Sequence, residues 1–188
     1  MEKEIRNISN HITRNTDNTR LVEGVAVAFN VESRDMGFIE TIKPTAINDE
    51  TIAQSDVFCL LNHDDSRGIL ARSCNGVGSL QLELKEDGLH YRFIAPNTQL
   101  GDELLSNLER GEITTSSFAF TVANGGDRWF RSNDGVLHRE INKIERLYDV
   151  SPVYQAAYTE TSVCRRKLDE IASIDEKLNN LRKELENL

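Results

Sequence analysis

Along most of the chain, apolar and polar residues alternate with the period of two expected of strands that face a core on one side. Leu21–Asn30 puts Val25, Val27 and Phe29 on one face and the small Ala26 and Ala28 opposite. Gly37–Ile42 reads as a second short strand, stopped by Pro44. Val57–Leu61 is a continuous apolar run, the pattern of a strand buried on both faces. Leu80, Leu82 and Leu84 alternate with polar residues, and so do Leu89, Tyr91 and Phe93, which predicts a hairpin turned at Glu86–Gly88. Ile113–Val122 is extended again. Asp127–Arg131 and Val136–Leu147 form a second hairpin pattern, turned at Ser132-Asn133-Asp134-Gly135.

The period changes twice. Leu100, Leu104, Leu105 and Leu108 line one face of a helix that Asn97 or Thr98 can cap and Gly111 stops. In the tail, Ile171, Ile174, Leu178, Leu181, Leu185 and Leu188 follow in steps of 3, 4, 3, 4 and 3, a heptad a/d seam. Residues 1–20 are polar and read as a loosely held arm. The expected organisation is therefore an arm (1–20), a body (21–164) and a coiled-coil-like helix (165–188). The tail is either a helix packed on its own domain or an element for self-association or partner docking, and its regularity favours the second.

With 188 residues, 38% of them hydrophobic, the chain has material for one cored domain and a short appendage. The net charge of −9 argues against wrapping nucleic acid, which needs concentrated positive charge against phosphate. From Arg165 to Leu188 six basic and six acidic residues cancel, so the whole imbalance lies in residues 1–164. The longest apolar runs span 5 residues, Val25–Phe29 and Val57–Leu61, against the roughly 20 of a membrane-spanning helix. The first residues have no apolar stretch of the kind a signal peptide carries. Cys59, Cys74 and Cys164 make no CxxC pair, which fits a reducing interior better than a disulfide framework.

Among His11, His63, His90 and His138, His63 stands apart because it follows the buried run Val57–Leu61 and opens the polar loop Asn62-His63-Asp64-Asp65-Ser66. A rigid strand that delivers a histidine to a loop is a common way to place a general base; a capping or solvated histidine is the blander alternative. His63, Asp64 and Asp65 are also the candidate metal set, a weak one, since neighbours on an extended chain point opposite ways. For a nucleophile, Thr114-Thr115-Ser116-Ser117 leads directly into Phe118-Ala119-Phe120, without the GxSxG elbow of an α/β-hydrolase. Cys59 lies within an apolar run and reads as core. Asp149 is an acid among apolar neighbours near a strand end, suited to orient a base or simply to cap a turn.

Taken in order, these segments resemble the prohead (capsid maturation) proteases of tailed bacteriophages, a family distantly similar to the herpesvirus assembly protease. The resemblance rests on Gly24-Val25-Ala26 leading to Phe29-Asn30; Phe38-Ile39-Glu40 with Ile42 and Pro44; Leu61-Asn62-His63-Asp64; Ile69-Leu70-Ala71-Arg72; Asp87-Gly88-Leu89; Gly111 with Ile113; Ser117-Phe118-Ala119-Phe120; and Asp149-Val150-Ser151-Pro152-Val153 with Ala156-Ala157-Tyr158. It implies that His63 is the catalytic base, Ser117 rather than Ser116 the nucleophile, and Asp149 the acidic partner. The chain departs from the family at Thr45, Ala71 and Ala119, each standing where the family carries glycine.

The resemblance implies an α+β, mainly β fold, a small β-barrel ringed by helices as in the herpesvirus protease. It implies a serine endopeptidase acting inside the immature capsid in the host cytoplasm on scaffold, on the capsid protein's N-terminal segment or on itself. Beside it, the heptad tail makes a homo-oligomer the expectation, the charge balance and short apolar runs argue against nucleic acid and membrane as partners, and no ligand motif calls for a cofactor or metal. Two rival readings remain: a non-catalytic assembly module that uses the same barrel and the heptad tail, and a metal-dependent hydrolase at His63, Asp64 and Asp65. The oxyanion donors are expected to be backbone N–H groups, with the stretch at Ala71-Arg72 as one candidate.

Overall fold

A computed structural model describes residues 2–8, 12–14, 20–154 and 162–186. They form two compact units, a body over residues 3–154 and a single helix beyond it. His11 and Ala156-Ala157-Tyr158 lie outside the described residues.

The body is built on three sheets. The largest runs in the order β1 (Glu4–Ile8), β10 (Thr115–Val122), β13 (Ile144–Val153), β5 (Asp56–Cys59), β6 (Ala71–Cys74) and β7 (Val77–Gly78). A second sheet orders β2 (Ile12–Arg14), β3 (Leu21–Ala28), β9 (Gly88–Ile94) and β8 (Gln81–Lys85). A third orders β11 (Asp127–Arg131), β12 (Leu137–Ile141) and β4 (Ile39–Ile42). Pairing is antiparallel except for β13 with β5 and β12 with β4. The mainly β expectation is met, but the barrel is not: among the described residues the strands divide into three sheets, none of them closed on itself.

Side chains from the large and four-stranded sheets meet in one core, with Phe118, Phe120, Leu147 and Val150 on one side and Val22, Val27, Leu89, Tyr91 and Phe93 on the other. Short α1 (Asp49–Ala53) adds Ile52 to it, and α2 (Gln99–Glu109) adds Leu100, Leu104 and Leu105. Thr98 caps α2, its side chain accepting from the Gly101 N–H, and Gly111 follows the helix at φ +70°, a left-handed turn that glycine adopts without steric cost. Gly24 is required by packing: a Cβ there would stand 2.6 Å from the Tyr91 ring, which lies over β3.

Two further expectations change. The run Val136–Leu147 is not one strand. β12 ends at Ile141 and β13 begins at Ile144, because the N–H groups of Asn142 and Lys143 both turn to the Gly126 carbonyl, at 2.7 and 2.9 Å. The apolar pattern continues across this crossover between sheets, so it gives no sign of the break.

The arm is the second. Residues 4–8 are a strand on the edge of the large sheet, paired antiparallel with β10 from Glu4 opposite Phe120 to Ile8 opposite Ser116. Their polarity misleads because the charges are buried against one another. Arg6 donates to Glu40 at 2.6 and 2.9 Å and to Glu4 at 2.8 Å. Arg139 donates to Glu4 at 2.6 and 2.9 Å, to Glu40 at 2.9 Å and to Asp127 at 2.8 Å. The side chains of Glu4, Glu40 and Arg139 are 2–3% exposed, so this network lies outside the screened regime of surface ion pairs. Replacing Arg139 with Met is expected to cost about 3–5 kcal/mol, since two buried carboxylates would lose a cation they share. Arg139→Lys should recover little, because an ammonium cannot make the planar, forked contacts of a guanidinium. Urea unfolding of the two variants checks this, and a loss within about 1 kcal/mol for Met would mean that the network is not a stabilising clamp.

The helix beyond the body, α3, runs from Ser162 to Glu186 and contains the seam from Ile171 to Leu185. Ile174, Leu178 and Leu181 are 49%, 48% and 55% exposed.

Candidate active site

Period two decides which hydroxyl of β10 faces where. Ser116, Phe118 and Phe120 project to the core side, and Ser117, Ala119 and Thr121 to the other. Ser116 is buried with its Oγ 2.8 Å from the Tyr91 hydroxyl, the contact that the bare Cα of Gly24 makes room for. Ser117 sits opposite Ser151 of β13, and Ala119 opposite Asp149, so Ser117, Asp149 and Ser151 share one face of the large sheet. The methyl group of Ala119 is accommodated there, fully buried.

His63 reaches the same face from the next strand over. Asp149 pairs with Phe58 of β5, and β5 runs on through buried Leu60 and Leu61 to the loop. There the chain turns sharply: Asn62 and His63 both adopt left-handed backbone, at φ +58° and +61°. Such conformations cost a non-glycine residue on the order of 1–3 kcal/mol and persist only where the surroundings hold them. Here the Asn62 N–H donates to the Pro152 carbonyl of β13 at 2.9 Å, and the Asp64 N–H closes back on the Leu61 carbonyl at 3.2 Å.

The result is a linear relay. His63 Nε2 lies 2.6 Å from Ser117 Oγ, and His63 Nδ1 lies 2.5 Å from Asp149 Oδ1. The carboxylate is held from other directions as well. Ser151 Oγ donates to Oδ1 at 2.8 Å, and Lys3 Nζ of the N-terminal segment donates to Oδ2 at 3.1 Å. Burial pushes the Asp149 carboxyl up, but the hydrogen bond and charge of His63, with the Lys3 ammonium and the Ser151 hydroxyl, outweigh it and hold the group below its ordinary range. An ionised Asp149 fixes the proton on Nδ1 and leaves Nε2 free to accept from Ser117. Ser117 is itself fully buried, and its hydroxyl has a second acceptor, the Arg6 carbonyl of β1 at 2.9 Å.

The structure thus brings together His63, Ser117 and Asp149, which are 54 and 32 residues apart along the chain. It leaves the other candidates elsewhere. Asp64 uses its side chain to cap the turn at Ser66. His90 pairs with Asp87 and His138 stacks on Phe130. Cys59 is fully buried, and burial together with the Asp149 charge pushes its thiol up, the reverse of an activated nucleophile. The Ala71-Arg72 stretch is not an open donor: it lies in β6, where the Arg72 N–H is taken by Ser79 Oγ at 3.2 Å. Sequence reasoning missed Lys3, Ser151 and the Arg6 carbonyl. Ser151 carried a signal, being in phase with Asp149 two residues away; Lys3 and Arg6 carried none once the N-terminal segment read as an arm. A groove of about 630 Å³ against β3, β8 and β9 includes none of the three relay residues.

The model of a family described as caudovirus prohead serine protease matches residues 7–174. The structure is similar to that of the bacteriophage T4 capsid assembly protease, gp21, with a TM-score of 0.50 and 14% sequence identity, over 82% of this chain and 100% of that one. At that identity the likeness speaks for the fold alone. No curated protein matches the chain.

Proposed function

We propose that this chain, which belongs to the caudovirus prohead serine protease family, is a capsid-maturation endopeptidase in which Ser117 is the nucleophile, His63 the general base and Asp149 its orienting acid. The observation that carries the assignment is the position of His63, within hydrogen-bond reach of Ser117 on one ring nitrogen and of Asp149 on the other. Ser117 Oγ forms a bond to the scissile carbonyl carbon while its proton passes to His63 Nε2. The tetrahedral intermediate collapses as the C–N bond breaks, and His63 returns the proton to the leaving amine. Water repeats the sequence against the acyl-enzyme and restores Ser117. Asp149 stays ionised throughout and stabilises the imidazolium. Because the Ser117 hydroxyl also has the Arg6 carbonyl within reach, attack requires its proton to be directed to His63 rather than to that carbonyl.

The substrates that fit this reading are the capsid protein's N-terminal segment, scaffold protein, and the chain itself, cut within the immature capsid. Full burial of Ser117 is also the one observation that favours a non-catalytic assembly module. A fluorophosphonate, which reacts only with an activated serine, separates the two. The purified chain is expected to gain one adduct, located by peptide mass spectrometry on the segment containing Ser117, and co-expressed capsid protein is expected to be cut at a defined bond. An inert chain that also leaves capsid protein intact would support the assembly module.

A further inference from the structure

The charges beside the α3 seam discriminate between two ways of pairing it. With Ile171, Leu178 and Leu185 at a and Ile174 and Leu181 at d, the g positions are Glu170, Lys177 and Glu184, and the e positions Asp175 and Arg182. In a parallel pair each g residue meets the e residue five places on in the other helix. That sets Glu170 against Asp175 and Lys177 against Arg182, like charges both times. In an antiparallel pair g meets g and e meets e. With Leu178 facing the partner's Leu181, and Ile174 the partner's Leu185, Lys177 falls opposite the partner's Glu184 and Asp175 opposite the partner's Arg182. The two-fold axis repeats both pairs, so all four are attractive.

We propose that α3 is a self-recognition surface whose occupant is α3 of a second copy of this chain, packed antiparallel in that register. The exposure of Ile174, Leu178 and Leu181, each 48–55% accessible, provides the apolar face. The e and g charges provide the orientation, and they reject the parallel alternative. The seam is short, so pairing depends on concentration.

One substitution gives opposite signs for the two orientations. Lys177→Glu creates a Glu–Glu contact with position 184 in the antiparallel pair, whereas in a parallel pair it would replace the Lys177–Arg182 repulsion with attraction. Sedimentation velocity of the full-length protein across a concentration series is expected to show dimers for the wild type and dissociation about tenfold easier for Lys177→Glu. Adding Glu184→Lys is expected to restore the wild-type constant. Tighter association of the single variant would establish parallel pairing and overturn the proposal. A wild-type chain that stays monomeric throughout the series would overturn it equally, and circular dichroism verifies that α3 stays helical in each variant.

Discussion

Ser117→Ala is expected to abolish the defined cleavage of co-expressed capsid protein, a loss on the order of a millionfold in turnover if the residue is the nucleophile of a triad. The substitution deletes one oxygen and leaves the sheet register unchanged, so the fold should survive it. Ser116→Ala is the matched control, and its effects should be of the other kind. Ser116 faces the core, where its Oγ holds the buried Tyr91 hydroxyl at 2.8 Å. Removing that partner leaves a buried hydroxyl short of a hydrogen bond, at a cost of about 1–3 kcal/mol in stability, while cleavage continues at the same bond. Intact mass of the capsid protein and a thermal melt of each variant provide both readouts. Cleavage that persists in Ser117→Ala, or vanishes in a folded Ser116→Ala, would end the assignment of Ser117.

The strands that carry the relay were legible because each is apolar on at least one face. The runs at Val57–Leu61 and Ser117–Phe120, and Asp149 among apolar neighbours, mark buried strands that carry polar chemistry, although Asp149 lies within β13 and not near its end. What alternation cannot say is which face of β10 meets His63, since both carry buried residues. Only the register of β10 on β13 decides for Ser117, by placing it in phase with Asp149 and Ser151. The resemblance to a known family reached the same residue by a different route.

The N-terminal strand was illegible for a definite reason. Hydropathy reads Glu4 and Arg6 as solvated, and here they are buried because Glu40 and Arg139, far away in sequence, neutralise them. The same alternation gives β1 two roles. The side chains of Glu4 and Arg6 enter the ion network, while the Arg6 carbonyl, and Lys3 just before the strand, contact the relay. The network therefore fixes the position of a segment that touches both Ser117 and Asp149. An uncovered Ser117 would be easier to recognise as an active site, but the covering strand is part of what positions it.

Asp149→Asn is expected to lower turnover about ten-thousandfold, the size found when a triad aspartate becomes an amide, with Ser117 and His63 still in place. The reason is the tautomer. The amide can offer oxygen to only one side, and donors on both sides compete for it: Lys3, 3.1 Å from Oδ2, and, on the other side, His63 at 2.5 Å and Ser151 at 2.8 Å from Oδ1. With the oxygen turned to the Lys3 ammonium, the NH2 group faces Nδ1, which must then accept. The proton moves to Nε2, where it prevents His63 from receiving the proton of Ser117. Adding Lys3→Met to Asp149→Asn removes the competing cation, and is expected to recover part of the activity as the oxygen returns to His63. The variant should also alter stability against pH. Asp149 is held below the ordinary carboxylate range in the fold, so its contribution is fully present above the unfolded value of about 3.9 and is lost as pH falls through the depressed one. The stability gap between wild type and Asp149→Asn should therefore be widest near neutral pH and narrow below about pH 4. A gap that stays constant from neutral to acid would show that the Asp149 carboxylate is not held in its charged form by His63, Lys3 and Ser151.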